Sequence, residues 1–161
     1  MSNCLAFDQS YTNFGYAVYD LANEELIDYG SFKTEKYSSR VVKRHFIWAL
    51  AKSLKMKYNP SKVVCEQIRL KNKFGISLNT IVALAEITSR IADAVWPEKV
   101  YTVDSKSWKA KVCKDASADK ADSVAFVKKE FDIDVDHDTA DAICMAIYPS
   151  KEKPILNLYE S

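Results

Sequence analysis

Apolar and polar positions at the start of the chain follow the spacing of extended strands. Cys4-Leu-Ala-Phe-Asp8 is a short apolar run that ends on an acid, and 10–13 is turn-like. Gly15-Tyr-Ala-Val-Tyr19 resumes strand character, and Leu26–Thr34 reads as a third strand after the Asn23-Glu-Glu turn. Three strands with short connections predict an antiparallel meander. From Ser39 to about Tyr58 the spacing becomes helical, with Val42, Phe46, Leu50 and Leu54 on one face, until Asn59-Pro60 ends it. Lys62-Val-Val-Cys-Glu66-Gln-Ile68 reads as a buried strand with one acid inside it. Leu78–Trp96 predicts a second long helix stopped by Pro97, and Val100–Val103 a fifth strand. Short helices follow at about Ser105–Cys113 and Ala118–Phe131. Thr139–Tyr148 is the last helix, stopped by Pro149.

The resulting order, βββαβαβααα, shows no internal repeat, linker or low-complexity segment. It predicts one α/β domain over residues 1–148 and an irregular tail over 149–161, whose Ile155, Leu156, Leu158 and Tyr159 are available to pack on the domain or on another chain.

Composition narrows the function classes. With 3 Gly in 161 residues, neither GxGxxG nor GxxxxGK[ST] is present, so a glycine-rich phosphate loop is excluded. No apolar run approaches the ~20 residues that span a bilayer. The N-terminus lacks a basic stretch followed by a long apolar one, so a cytoplasmic protein is expected. Cys4, Cys65, Cys113 and Cys144 form no CxxC or CxxxC pair, and three lie in apolar stretches, as reduced core thiols do.

Net charge is only +1, but its distribution is dipolar. Residues 33–57 hold eight Lys/Arg and one acid, Glu35, and Arg69-Leu-Lys71-Asn-Lys73 holds three basic residues and no acid. Acids gather at Asp132, Asp134, Asp136, Asp138 and Asp141. Basic segments of this kind suit phosphates, whereas the acidic cluster repels them unless cations intervene.

Within this layout Asp8 ends a buried strand, and Glu66 sits inside an apolar one, where a lone carboxylate costs several kcal/mol unless paired or metal-bound. Asp138 and Asp141, three apart on a helix, share a face, with Ile143, Cys144 and Ile147 forming an apolar stripe on the other side. Singly, each acid has an ordinary structural reading: Asp8 as a turn cap, Glu66 as the partner of a Lys or Arg, Asp138 and Asp141 as favourable charges at a helix N-terminus. Jointly, the order strand-Asp, strand-Glu, helix-DxxD fits phosphodiester hydrolysis, because Mg²⁺ takes hard oxygen ligands and two such ions activate water and stabilise the leaving oxygen.

In LAFDQSYTNFGYAVYD, VVCEQI and DHDTADAICMAI the sequence resembles the RuvC family of Holliday-junction resolvases. The likeness runs from 4 to 148, and its most specific part is Asp138-Thr-Ala-Asp141-Ala. It implies an RNase-H-like fold, a mixed five-stranded sheet flanked by helices. It implies a homodimer that nicks branched DNA, with Asp8, Glu66, Asp138 and Asp141 as catalytic ligands of Mg²⁺, or of Mn²⁺ in its place. Lys109 and Lys120, eleven apart, stand where the family carries lysines that contact junction phosphates; their ordinary reading is solvated helix lysines.

The sequence also departs from the family. Gln9-Ser10 replaces the usual Pro-Gly, and the glycine-rich helix motif is missing from 81–92. Arg69 stands where many bacterial members place an aromatic wedge, the nearest aromatic here being Phe74. A looser, structure-selective enzyme, acting also on forks and flaps, is therefore expected, with Arg69, Lys71, Lys73 and Phe74 as candidate DNA contacts. The short chain and altered motifs are similar to phage-type members, which act in the bacterial host cytoplasm.

His137 is a candidate proton donor, although position i−1 on a helix points about 100° from Asp138 and suits capping or solvent. The predicted 78–96 helix carries Ile81, Leu84, Ala85, Ile87, Ile91 and Ala92, apolar surface for the core and for a dimer contact. Two alternatives remain: a junction-binding module of weak catalytic power, and an RNase-H-like nuclease acting on RNA or RNA–DNA hybrid.

Overall fold

The structure, a computed structural model, describes residues 2–10, 12–37, 39–68, 77–151 and 156–157, Lys151 and the last pair by backbone alone. The predicted meander forms from β1 (Asn3–Asp8), β2 (Asn13–Asp20) and β3 (Glu25–Lys33). Beyond β1, β4 (Lys62–Glu66) and β5 (Val100–Val103) pair in parallel. All five predicted strands are present. The tail, expected to be irregular, adds β6 (Leu156–Asn157) antiparallel to β5, giving the order β3-β2-β1-β4-β5-β6.

The helices are α1 (Arg40–Tyr58), α2 (Leu78–Val95), α3 (Ser105–Trp108), which runs into a π-helical turn at Lys109–Cys113, α4 (Lys120–Phe131) and α5 (His137–Lys151). Contrary to expectation, α5 continues through Pro149. So near a C-terminal end, proline's missing N–H costs one hydrogen bond and need not end the helix.

Strand alternation divides the core into two layers. Cys4 and Ala6 of β1, Ala17 and Tyr19 of β2, Val64 of β4 and Val103 of β5 face α5 and Trp108. Leu5, Phe7, Phe14, Tyr16, Val18, Val63 and Cys65 face α1 and α2. Each large apolar side chain taken fully out of water here contributes roughly 1.5–3 kcal/mol.

Two predicted helix faces need correction. On α1 the buried stripe is Ile47, Ala51 and Leu54, while Val42 is 48% exposed. Phe46 and Leu50 flank the stripe half-buried, so the true row lies one residue to the side of the predicted one. On α5 burial is not a stripe: Ala140 and every residue from Ala142 to Tyr148 is buried. The sheet covers one side of α5 and α4 with the π-helical turn covers the other, and a helix so enclosed is apolar all round. All four cysteines are free, three buried and Cys113 half-buried. Among the described residues no helix is long and apolar enough to cross a membrane.

Candidate active site

The alternation that builds the core also aims the acids. Asp8 shares the face of Cys4 and Ala6, and Glu66 that of Val64. The β1–β4 register pairs Phe7 with Cys65, so the two acids stand at the C-terminal ends of adjacent parallel strands, at the same end of the sheet. The first turns of α5 bring Asp138 and Asp141 to them. Asp8 titrates well above its ordinary value: burial contributes most, followed by the charges of Glu66, Asp141 and Asp138, and Lys120 opposes. Burial and then Asp141 raise Glu66, while Lys109 and Trp108 counteract. Burial also raises Asp141 against Ser123, Lys109 and Lys120. The predicted quartet is therefore one electrostatic cluster, and both predicted lysines act on it.

Tertiary contacts fix the Asp138 and Asp141 carboxylates and the Glu66 backbone. Asn13 Nδ2 donates to Asp138 Oδ2 at 2.7 Å. Ser123 Oγ, buried in α4, donates to Asp141 Oδ1 at 2.5 Å. Asp136 caps α5, accepting from the Thr139 N–H at 2.8 Å and from Ser31 Oγ of β3 at 2.5 Å. Gly15, paired with Asp8, lets the α5 backbone lie directly on β2. Gln9 Nε2 donates to the Glu66 carbonyl at 2.7 Å, and Gln9 Oε1 accepts from the Glu66 N–H at 3.1 Å.

None of these supporting residues was foreseen. Gly15 carried a signal, since a glycine inside a strand marks close backbone approach. So did Asp136, an acid placed to cap the following helix. Asn13, Gln9 and Ser123 carried none.

The cations also have fixed positions. Lys109 opens the π-helical turn, a conformation frequent at functional sites, and its Nζ lies 5.4 Å from the Trp108 ring centre. Lys120 is the first residue of α4, between the capping-box residues Asp119 and Asp122. A cation there runs against the helix dipole, and the carboxylates it faces offset that cost.

All the donors in the cluster are hard carboxylate oxygens, and their burial and mutual repulsion suit a divalent cation. Among the described residues no group of three or more His, Cys, Asp or Glu side chains is drawn together closely enough to hold an ion unaided. Asn13 holds Asp138 and Ser123 holds Asp141, each by one hydrogen bond.

The predicted position of His137 changes. It is exposed, as expected, but does not cap the helix, and its imidazole turns back to place Nε2 3.7 Å from Asp138 Oδ2. Arg69, Lys71, Lys73 and Phe74 lie outside the described residues.

No protein-family model and no curated protein sequence matches the chain. Solved structures do. The chain is similar to T. thermophilus RuvC in complex with a Holliday junction substrate, with TM-score 0.74 and 14% identity over 91% of each chain. It is similar to Thermus thermophilus RuvC, with TM-score 0.71 and 16% identity over 95% of this chain and 99% of that one. The yeast mitochondrial Holliday junction resolvase Ydc2 aligns with TM-score 0.63 and 16% identity, over 93% and 78%. The fold is that of RuvC.

Within the RuvC fold, the departure at Gln9-Ser10 has a local meaning. A proline at position 9 has no polar side chain to offer Glu66, whereas the Gln9 carboxamide bonds both backbone groups of that residue.

Proposed function

We propose that the chain is a metal-dependent, structure-selective endonuclease that nicks four-way junctions and other branched DNA. The observation that carries this reading is the convergence of Asp8, Glu66, Asp138 and Asp141 with Lys109 and Lys120 at one end of the central strands of a RuvC fold. The four carboxylates would hold Mg²⁺, or Mn²⁺ in its place. When bound, such ions supply charge that activates water and stabilises the leaving oxygen of a phosphodiester.

The chain's own groups do the rest. Lys109 and Lys120 bring positive charge to the phosphate that the carboxylates would otherwise repel. Asn13 and Ser123 keep Asp138 and Asp141 oriented. The exposed imidazole of His137, 3.7 Å from Asp138 Oδ2, would deliver a proton to a leaving oxygen.

A homodimer belongs to the same proposal, because paired nicks in a two-fold junction need two sites. Leu78 and Val82 of α2 are exposed, at 74% and 42%, and supply apolar surface for that contact.

The test is cleavage of a labelled four-way junction beside linear duplex, a fork and an RNA–DNA hybrid, each with Mg²⁺. Cutting of the junction in preference to duplex is expected. Tight junction binding without cutting contradicts the enzyme reading, and cutting of the hybrid alone contradicts the substrate.

A further inference from the structure

Asp8 and Glu66 stand one residue beyond the last β1–β4 backbone pair, Phe7 with Cys65. The carboxamide of Gln9 takes over at that point. Its Nε2 donates to the Glu66 carbonyl at 2.7 Å and its Oε1 accepts from the Glu66 N–H at 3.1 Å. The second Nε2 hydrogen goes to Thr88 Oγ1 of α2 at 3.2 Å. Thr88 can only accept there, because its own hydroxyl donates to the Leu84 carbonyl at 2.9 Å. The amide thus has one orientation: flipped, it would set N–H against N–H and oxygen against oxygen. Gln9 is 4% exposed, so water offers little alternative. On the other side, Glu66 pairs with Val103 and the Gln67 N–H donates to the Val103 carbonyl at 2.8 Å.

We infer that Gln9 is a positioning residue for Glu66: it fixes the Glu66 peptide beside Asp8 and ties that setting to α2 through Thr88. The inference rests on the nuclease reading above for its catalytic consequence, but not for its geometry.

The test compares native protein with Gln9→Met, which keeps the side-chain volume and removes the clamp, and with Thr88→Val, which releases only the second leg. Three quantities are measured: hydrogen exchange at the Glu66 amide, Mn²⁺ affinity by calorimetry, and single-turnover cleavage of a saturating four-way junction together with its Kd. For Gln9→Met the Glu66 amide is expected to exchange faster. Mn²⁺ affinity and cleavage rate fall roughly 10–100-fold, with junction Kd unchanged to about twofold. Thr88→Val gives a smaller loss in the same quantities.

A merely structural glutamine lowers Tm and leaves the Mn²⁺ affinity and rate of the folded protein intact, and that result in Gln9→Met overturns the inference. If Gln9→Met does not fold, native Mn²⁺ affinity and rate in Thr88→Val overturn it instead. A native chain that cuts no junction, yet loses Mn²⁺ affinity in Gln9→Met, contradicts the nuclease reading and supports the positioning role.

Discussion

Gly15 of β2 lies flat against the peptide of Asp138: a Cβ at position 15 would stand 2.3 Å from the Asp138 carbonyl oxygen and 2.6 Å from its carbon. Gly15 is also the register partner of Asp8. Two acids 130 residues apart in sequence are therefore brought together across a missing side chain.

Gly15→Ala is expected to push the start of α5 off the sheet, because the obstructing atoms are backbone and have no rotamer to move to. Overpacking of this kind costs about 1–3 kcal/mol. Cleavage should fall about tenfold or more, since displacement of a catalytic group by about 1 Å is enough to do that. Thermal unfolding and single-turnover rates check both; native values in both contradict the close packing.

Without divalent cations, the cluster should destabilise the protein at neutral pH. Asp8 titrates well above its ordinary value, chiefly from burial and then from its acidic neighbours. The folded state therefore releases this proton at a higher pH than the unfolded chain does. Stability from this group is greatest below the ordinary carboxylate pKa and declines as pH rises through the raised one. Asp8→Asn should then raise Tm in EDTA at about pH 7.5 by roughly 3 °C or more, an advantage that vanishes near about pH 4. Mg²⁺ should stabilise the native chain more than the variant. A lower Tm for Asp8→Asn in EDTA contradicts this picture.

Lys109→Ala and Lys120→Ala should each weaken junction binding and reduce the salt slope of log Kd by about 1, as loss of one phosphate contact does. Lys128, paired with Asp132 at 3.1 Å and Asp134 at 3.0 Å away from the cluster, is the control. Lys128→Ala should leave affinity and slope unchanged. Equal slopes in all four proteins remove the assigned role of the two lysines.

Ser123→Ala should shift the pH dependence of cleavage. Burial raises the Asp141 carboxyl, and the Ser123 hydroxyl is the chief group holding it down. Loss of a hydrogen bond to a charged group is worth about 1.5–3 kcal/mol, so the acidic limb should move up by roughly one pH unit or more. Near-native rates should return at higher pH. A uniform loss at every pH contradicts this role and points to misplacement of α4.

The quartet was legible in the sequence because period-two alternation puts Asp8 and Glu66 where apolar residues belong, and helical spacing puts Asp138 and Asp141 together. The succession of strands and helices along the chain was legible from the same two periodicities, whereas the mixed sheet came from the resemblance. Gln9, Asn13 and Ser123 gave no signal, since their partners lie 57, 125 and 18 residues away. The α1 face was read one residue to the side because Phe46 and Leu50 are as apolar as the buried Ile47, and only the packing of α1 on α2 separates them. The all-round burial of α5 depends on α4 and the π-helical turn closing over it, a tertiary fact that helical periodicity does not contain.

The proposed function makes the four carboxylates one cation-dependent unit acting on branched DNA. Its most direct test is Mg²⁺-dependent cleavage of a labelled four-way junction by the native chain and by Asp8→Asn, Glu66→Gln, Asp138→Asn and Asp141→Asn, with junction Kd measured for each. Paired nicks by the native chain are expected, abolished by EDTA, and each variant should cut about a thousandfold or more slowly while still binding the junction. Cleavage that persists in EDTA, or any one variant cutting at the native rate, would contradict it.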